Sequence, residues 1–433
     1  MLASSIFSHY SNNFSIKKPI LILQNKPRKI RNMQNQMKYD HTNTSQMQSN
    51  ESMNLKEKKV KDLMVNKKRL VEVPYTASLG QTMNTLVANK VVAVPVAAPP
   101  GQWIGAGGSM IVESDKQTGA VRKHYIGMVT MLDIVAHIAG EDHLSGGDDV
   151  TEDLDQRMSV PVSSIIGHSF EGLSLWTLNP NTSLLDCMEV LSKGVHRAMV
   201  PTDSQIENVS AGVELVESSS SYQMLTQMDV LRFLKEHDSE LHSTLHSRSV
   251  QDLGAINERI YAITDRTKLI DAIKCLKAAM LNALPIVRAS DVGDDDHKQL
   301  INANTRHIFN LKCLWSYTDG RCRKLIGTFS ATDLRGCYIN TLKSWLGISA
   351  LAFTEQIATS PLYTTSETQN DISSSRRELI TCYAESTLSE VIDKAVAKHV
   401  HRIWVVDQEG LLVGVVSLTD VIRVIRQSML SDA

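Results

Sequence analysis

One pattern recurs four times in this chain of 433 residues: a hydroxyl residue, two further residues and an aspartate, set directly behind a short apolar run that reads as a β-strand. The pairs are Thr130 with Asp133, Thr226 with Asp229, Ser330 with Asp333, and Ser417 with Asp420. Their aspartates lie 96, 104 and 87 positions apart, too irregular for a solenoid but natural for one module repeated with insertions. Whatever this chain folds into, it builds the same unit four times.

The last copy shows the unit most plainly. A short strand, Glu378 to Cys382, precedes Thr387-Leu388-Ser389-Glu390, a capping box that opens a helix. Leu388, Val391, Ile392, Ala395 and Val396 then fall on one helical face. His401-Arg402 leads into Ile403 to Val406, a buried strand. Asp407 to Gly410 turns the chain, and Leu411 to Val416 returns as its partner. At Ser417-Leu418-Thr419-Asp420 a second helix begins, which completes β-α-β-β-α.

The same order reads from Val71 (strands Val71–Val73, Val91–Val96 and Tyr125–Val129) and from Leu175 (strands Leu175–Thr177, Val195–Val200 and Tyr222–Leu225). It reads again from Ile260, with strands Ile260–Ile263, Ala283–Val287 and Leu325–Phe329. Where the last copy turns in four residues, the other three carry insertions at 99–123, 203–221 and 290–321. A hairpin tip accepts these because loop closure costs only about 0.6 kcal/mol per doubling of length. An acidic linker at 141–157 and a polar one at 364–377 separate copies and are expected to be exposed.

Composition excludes several classes. A charged fraction of 21% with a net charge of −2 favours neither nucleic acid nor an acidic tail. Six cysteines without a CxxC pair fit reduced thiols better than a disulfide framework or a zinc site. No apolar run approaches the roughly 20 residues of a membrane helix. The glycines of 101–108 lack the Lys-Ser/Thr of a phosphate loop, and neither HExxH nor Gly-x-Ser-x-Gly occurs, so no catalytic centre is indicated. Residues 1–57 are rich in Ser, Asn and Gln and basic before Asp40, which reads as a disordered extension, or as a plastid-type targeting segment.

Each hydroxyl-x-x-Asp has two readings. The first free amides of a helix, its positive dipole end and the hydroxyl form an anion site, while the carboxylate can hold two vicinal ribose hydroxyls. Equally, Thr/Ser-x-x-Asp is a plain N-terminal cap.

The β-α-β-β-α unit resembles the cystathionine-β-synthase-type (CBS) domain. The run from His399 to Asp420 resembles the fourth CBS repeat of the gamma subunit of AMP-activated and sucrose non-fermenting-related kinases, in particular the plant gamma-like type. The resemblance implies an α/β (α+β) fold of four tandem CBS repeats, at 58–140, 158–238, 248–340 and 355–428, pairing into two Bateman-type modules. It also implies a non-catalytic regulatory subunit that binds kinase alpha and beta subunits, takes AMP, ADP or ATP as ligand with no cofactor or metal, and works in cytoplasm or nucleus. Carried over by position, the nucleotide-binding residues are Thr130, Asp133, Thr226, Asp229, Ser330, Asp333, Ser417, Thr419 and Asp420. His196, Arg197, His401 and Arg402 would face phosphates, and Ile380 and Val400 the adenine. Copy 1 departs from this pattern, with Val92-Ala93 where the family has a cation, and copy 3 has Asn282-Ala283 there. The rival reading is an interaction scaffold of CBS repeats that no longer binds nucleotide.

Overall fold

Each of the four copies folds around a small sheet of its own. The structure, a computed structural model, describes residues 55–98, 123–139, 156–167, 175–202, 221–237, 247–289, 322–336, 341, 344–359 and 378–431. The hairpin insertions, both linkers and the segment before Leu55 lie outside the described residues, apart from Lys123, Ser221, Gln156 and Arg157 at their edges.

In copy 1, β1 (Val73–Pro74) lies parallel to β2 (Ala93–Ala97), and β2 lies antiparallel to β3 (Tyr125–Thr130). Helix α1 (Leu79–Ala88) sits between the first two strands and α2 (Met131–Ala139) follows the third. Copy 2 has α3 (Leu184–Leu191), β4 (Arg197–Pro201), β5 (Tyr222–Thr226) and α4 (Gln227–Glu236). Its expected leading strand is reduced to one parallel bridge, Thr177 to Met199. Copy 3 has β6 (Ile263–Thr264), α5 (Leu269–Ala279), β7 (Ala283–Val287) and β8 (Leu325–Ser330). There a 3-10 turn, Asp333–Gly336, stands where the other copies start their closing helix. Helix α6 (Ala350–Ala358) leads on to copy 4, with β9 (Thr381–Cys382), α7 (Leu388–Ala397), β10 (Arg402–Val406), β11 (Leu412–Ser417) and α8 (Leu418–Ser431). The molecule is thus an α+β fold of several small sheets.

Two kinds of contact tie the copies together. The first exchanges lead-ins, the segments that precede each copy. The first helical amide of copy 2, at Leu184, donates to the Lys58 carbonyl (2.8 Å), and Val60 donates back to Thr182 (2.9 Å). The reverse exchange joins Leu79 to Val160 (3.0 Å) and Val162 to Ala77 (2.7 Å). Copies 3 and 4 repeat it, through Leu388 to Arg248 (3.0 Å) with Val250 to Ser386 (3.0 Å), and through Leu269 to Ile348 (2.9 Å) with Ala350 to Thr267 (2.8 Å). An amide that a helix start leaves without an internal partner therefore becomes, four times, a link between neighbours. These exchanges pair copy 1 with 2 and copy 3 with 4.

The second kind is apolar and runs the other way. One large core joins copies 1 and 3, where α2 packs on α5. The other joins copies 2 and 4, where α8 packs on α3 and α4, and α7 on α4. The helix stripes are wide enough for this: in α5, Leu269, Ala272, Ile273 and Leu276 are buried and Cys275 extends the face sideways. A smaller core, with Ile260, Val287, Leu325, Trp404 and Leu412 among its members, lies between the sheets of copies 3 and 4. The result is a ring of four copies in which every copy touches two others by different means. Leu55, inside the span read as an extension, is 1% exposed and belongs to the core of copies 2 and 4, so packing begins before residue 58.

Candidate functional site

The same backbone device starts the inner strand of every copy. Three residues before the strand, the helix is terminated by a residue in the left-handed region: Lys90 (φ 55°), Gly194 (φ 94°), Met280 (φ 53°) and His399 (φ 51°). The chain then reverses, and the next three residues begin the strand from the centre of the ring. Val92, His196-Arg197, Asn282-Ala283 and His401-Arg402 occupy that position and line one central cavity of about 570 Å³.

Other expected residues meet them there. Thr130, Ser330, Ser417 and Thr419 line the cavity, as do Ile380 and Val400. Thr226 and the four aspartates are not among its lining residues. Each aspartate instead spans the start of its own turn: Asp133 Oδ2 accepts from the Thr130 amide (2.8 Å), Asp229 from Thr226 (2.8 Å), Asp333 from Ser330 (2.8 Å) and Asp420 from Ser417 (3.1 Å). In copies 1, 2 and 4 the hydroxyl also donates to that oxygen, at 2.6, 2.6 and 2.5 Å. One carboxylate oxygen is therefore used for capping in every copy. The other is engaged by arginine in copies 2 and 4, with Arg232 Nη1 3.8 Å from Asp229 Oδ1 and Arg423 Nη2 3.4 Å from Asp420 Oδ1.

The cavity carries more positive charge than the sequence reading expected. Arg232, Arg335, Lys398 and His399 join Arg197, Arg402, His196 and His401 on its wall, where Glu378 is the one carboxylate among the described lining residues. Glu378 pairs with Lys398 at 2.6 Å. Several of these groups are steadied by another copy. Arg402 Nη1 donates to the Ala283 carbonyl (3.2 Å), Arg335 Nη1 to Lys90 (3.1 Å) and Arg232 Nη2 to His399 Nδ1 (3.0 Å), while Asn282 Nδ2 and His196 Nδ1 lie 3.2 Å apart. Gln227 Nε2 bridges to Thr419 Oγ1 at 2.9 Å. These bonds hold the Arg402 and Arg335 guanidiniums to the backbone of a neighbouring copy and fix where their charge lies on the cavity wall. Arg232 and Arg335 were legible in principle: both fall within one turn after the repeated aspartate, which comparing the copies would have shown.

Burial pushes the thiols of Cys187, Cys275 and Cys382 up to about 12, so they stay protonated at neutral pH. Among the described residues no group of His, Cys, Asp and Glu is arranged to hold a metal ion, and no helix is long and apolar enough to cross a membrane.

The chain has recognisable relatives among known proteins. The family model of the CBS domain matches residues 370–427. The chain is 58% identical over 372 residues to the SNF1-related protein kinase regulatory subunit gamma-like PV42a of Arabidopsis thaliana, covering 85% of this chain and 95% of that protein. It is 56% identical over 375 residues to gamma-like PV42b of the same plant, covering 87% and 96%. Among solved structures, protein MJ1225 of Methanocaldococcus jannaschii overlays with a TM-score of 0.49 at 18% identity, covering 84% of this chain and 99% of that one. The chain belongs to the SNF1-related protein kinase regulatory subunit gamma-like family of CBS-domain proteins.

Proposed function

We propose that this protein is a non-catalytic regulatory subunit of a serine/threonine kinase complex that senses AMP, ADP or ATP in its central cavity. The observation that carries the reading is the cavity itself. Four guanidiniums and an ammonium converge on it, three hydroxyl residues of the repeated motif face it, and Ile380 and Val400 offer an apolar wall of the kind an adenine ring needs. Phosphates would lie toward Arg197, Arg402 and their histidines. Asp420 Oδ1, which Arg423 Nη2 approaches at 3.4 Å, is the candidate acceptor for ribose hydroxyls at copy 4. The gamma-like relatives are named as regulatory subunits of an SNF1-related protein kinase, which supports a kinase complex, and its alpha and beta subunits are the partners of this reading. The compartment proposed with this reading is cytoplasm or nucleus, which six cysteines without a CxxC pair suit.

Calorimetry with AMP, ADP and ATP tests this on the full chain and on Asp420→Ala. Loss of one or two charge-assisted bonds should weaken binding by about 1.5–3 kcal/mol, roughly ten- to a hundredfold. If Asp420 only caps α8, the variant loses about 1 kcal/mol of stability and leaves nucleotide affinity alone. Absence of adenylate heat from the wild type at millimolar concentration would sink the sensor reading and leave the scaffold.

A further inference from the structure

The lead-ins of copies 1 and 3 can be compared residue for residue. Val60 and Val250 make the same hydrogen bond to their partner copy, at Thr182 and Ser386, and Val73 and Ile263 hold the same place at the start of their sheets. No gap separates these anchors, so Lys67 stands where Asn257 stands. Each lies beside the closing strand of the even copy next to it. In copy 4 the approach is close: Asn257 and Val415 exchange backbone hydrogen bonds (2.8 and 3.0 Å), and a Cβ on Gly414 would sit 2.4 Å from Ile256 Cγ2. In copy 2 the position of Gly414 is Gln223, whose side-chain amide donates to the Lys67 carbonyl (3.2 Å).

The side chains diverge at this point. The Asn257 Oδ1 accepts from the Arg259 amide (3.0 Å) and so turns back on its own loop. The Lys67 ammonium reaches across and forms an ion pair with Asp229 Oδ2. With Arg232 beside Oδ1, both oxygens of the copy 2 carboxylate face a cation, and the side chains of Lys67 and Asp229 are only 22% and 11% exposed. At copy 4 the guanidinium beside Asp420 is shared, since Arg423 Nη2 also donates to the Gly254 carbonyl (2.8 Å).

We propose that Lys67 plugs the carboxylate of copy 2, and that the residue at this one position of an odd lead-in decides whether the neighbouring even copy is open to a polyol such as ribose. Lysine closes it and asparagine leaves it open. An ammonium on the carboxylate occupies the acceptor sites that vicinal hydroxyls would need, and displacing it would strand a half-buried charge. The proposal rests on the adenylate reading for the ligand, but the plug itself does not.

Two measurements separate them. Calorimetry with AMP and with ATP on full-length wild type, Lys67→Asn and Asn257→Lys should show one more binding equivalent in the first variant and one fewer in the second, with each variant still folding in one cooperative transition. Equal stoichiometry in Lys67→Asn and wild type overturns the hidden site, and so does any loss of wild-type affinity on Asp229→Asn, since that aspartate would already be in use. A wild type that takes up neither nucleotide defeats the adenylate reading instead. Limited trypsinolysis then decides the plug: cleavage after Lys67 should be slow in wild type and severalfold faster in Asp229→Asn, and equal rates would overturn it.

Discussion

The odd copies and the even copies are built on the same turn, yet they meet the central cavity with different chemistry. Copies 2 and 4 begin their inner strands with His-Arg and add Arg232, Lys398 and His399. Copies 1 and 3 offer Val92, Asn282 and Ala283 with the hydroxyls of Thr130, Thr328, Ser330 and Thr332, and one guanidinium, Arg335. Their cores differ in the same sense. The odd core has an aromatic centre, Phe329 edge-on to Phe353 (6.0 Å, 78°) and Phe353 to Trp345 (5.4 Å, 67°). The even helices carry ion pairs across their crossings, Arg426 with Glu189 and Lys235 with Asp393. Two side chains at the start of a strand can change without touching either core, so a repeated fold can specialise one half for charge and leave the other half for packing.

Phe353→Ala breaks this contrast most severely. The side chain is fully buried and touches two aromatic partners, so its removal should cost about 3–5 kcal/mol. Denaturant unfolding followed by fluorescence and circular dichroism measures it. Because lead-in exchanges tie each odd copy to an even one, the loss should appear as one cooperative transition at lower denaturant. Two separated transitions would show that the halves unfold independently, and a loss below about 1 kcal/mol would mean that the aromatic centre repacks.

How much of this was legible follows from the range of each interaction. Periodicity and capping are local, so the helix stripe of Leu388, Val391, Ile392, Ala395 and Val396 and the hydroxyl-x-x-Asp starts were readable from residues near one another; the first four stripe residues are buried and Val396 is half-buried. Short leading strands were harder: a parallel strand of two residues, such as Ile263–Thr264, is defined by its partner and not by its own pattern. The pairing of copy 1 with 3 through helices depends on flanks such as that of Cys275, which a single stripe does not reveal. The ion pair of Lys67 with Asp229 spans two copies, and no spacing rule in one sequence predicts it.

A smaller effect sharpens the comparison from inside the repeat. The first helices of copies 1, 2 and 4 are capped by Ser78, Ser183 and Thr387, each accepting from the amide three residues on. Copy 3 has Lys268 at that place, with extended backbone (φ −68°, ψ 152°) and no side-chain cap. Lys268 is exposed and its backbone already suits a cap, so Lys268→Ser should stabilise the protein by about 1 kcal/mol, read as a higher denaturation midpoint at constant slope. No gain would mean that a hydroxyl at position 268 does not reach the Asp271 amide, which is the one the cap would satisfy.

The smallest effect belongs to the even half and depends on pH. Hydrogen bonding from Lys193 and the nearby Arg426 guanidinium hold the Glu189 carboxyl below its ordinary value, with partial burial opposing them. A carboxylate whose pKa is lower in the folded state adds stability above its unfolded value and loses it as pH falls through the folded one. Its side chain is 40% exposed, so after solvent screening the pair with Arg426 contributes less than about 1 kcal/mol. Glu189→Gln should therefore melt slightly below wild type from pH 8 down to about pH 5, with the two curves converging as the solution is acidified past the ordinary carboxylate range. A gap that stays constant to low pH would assign the loss to packing of α3 against α8, because Arg426 Nε also donates to the Leu185 carbonyl (3.1 Å) and would hold the crossing without any charge on residue 189.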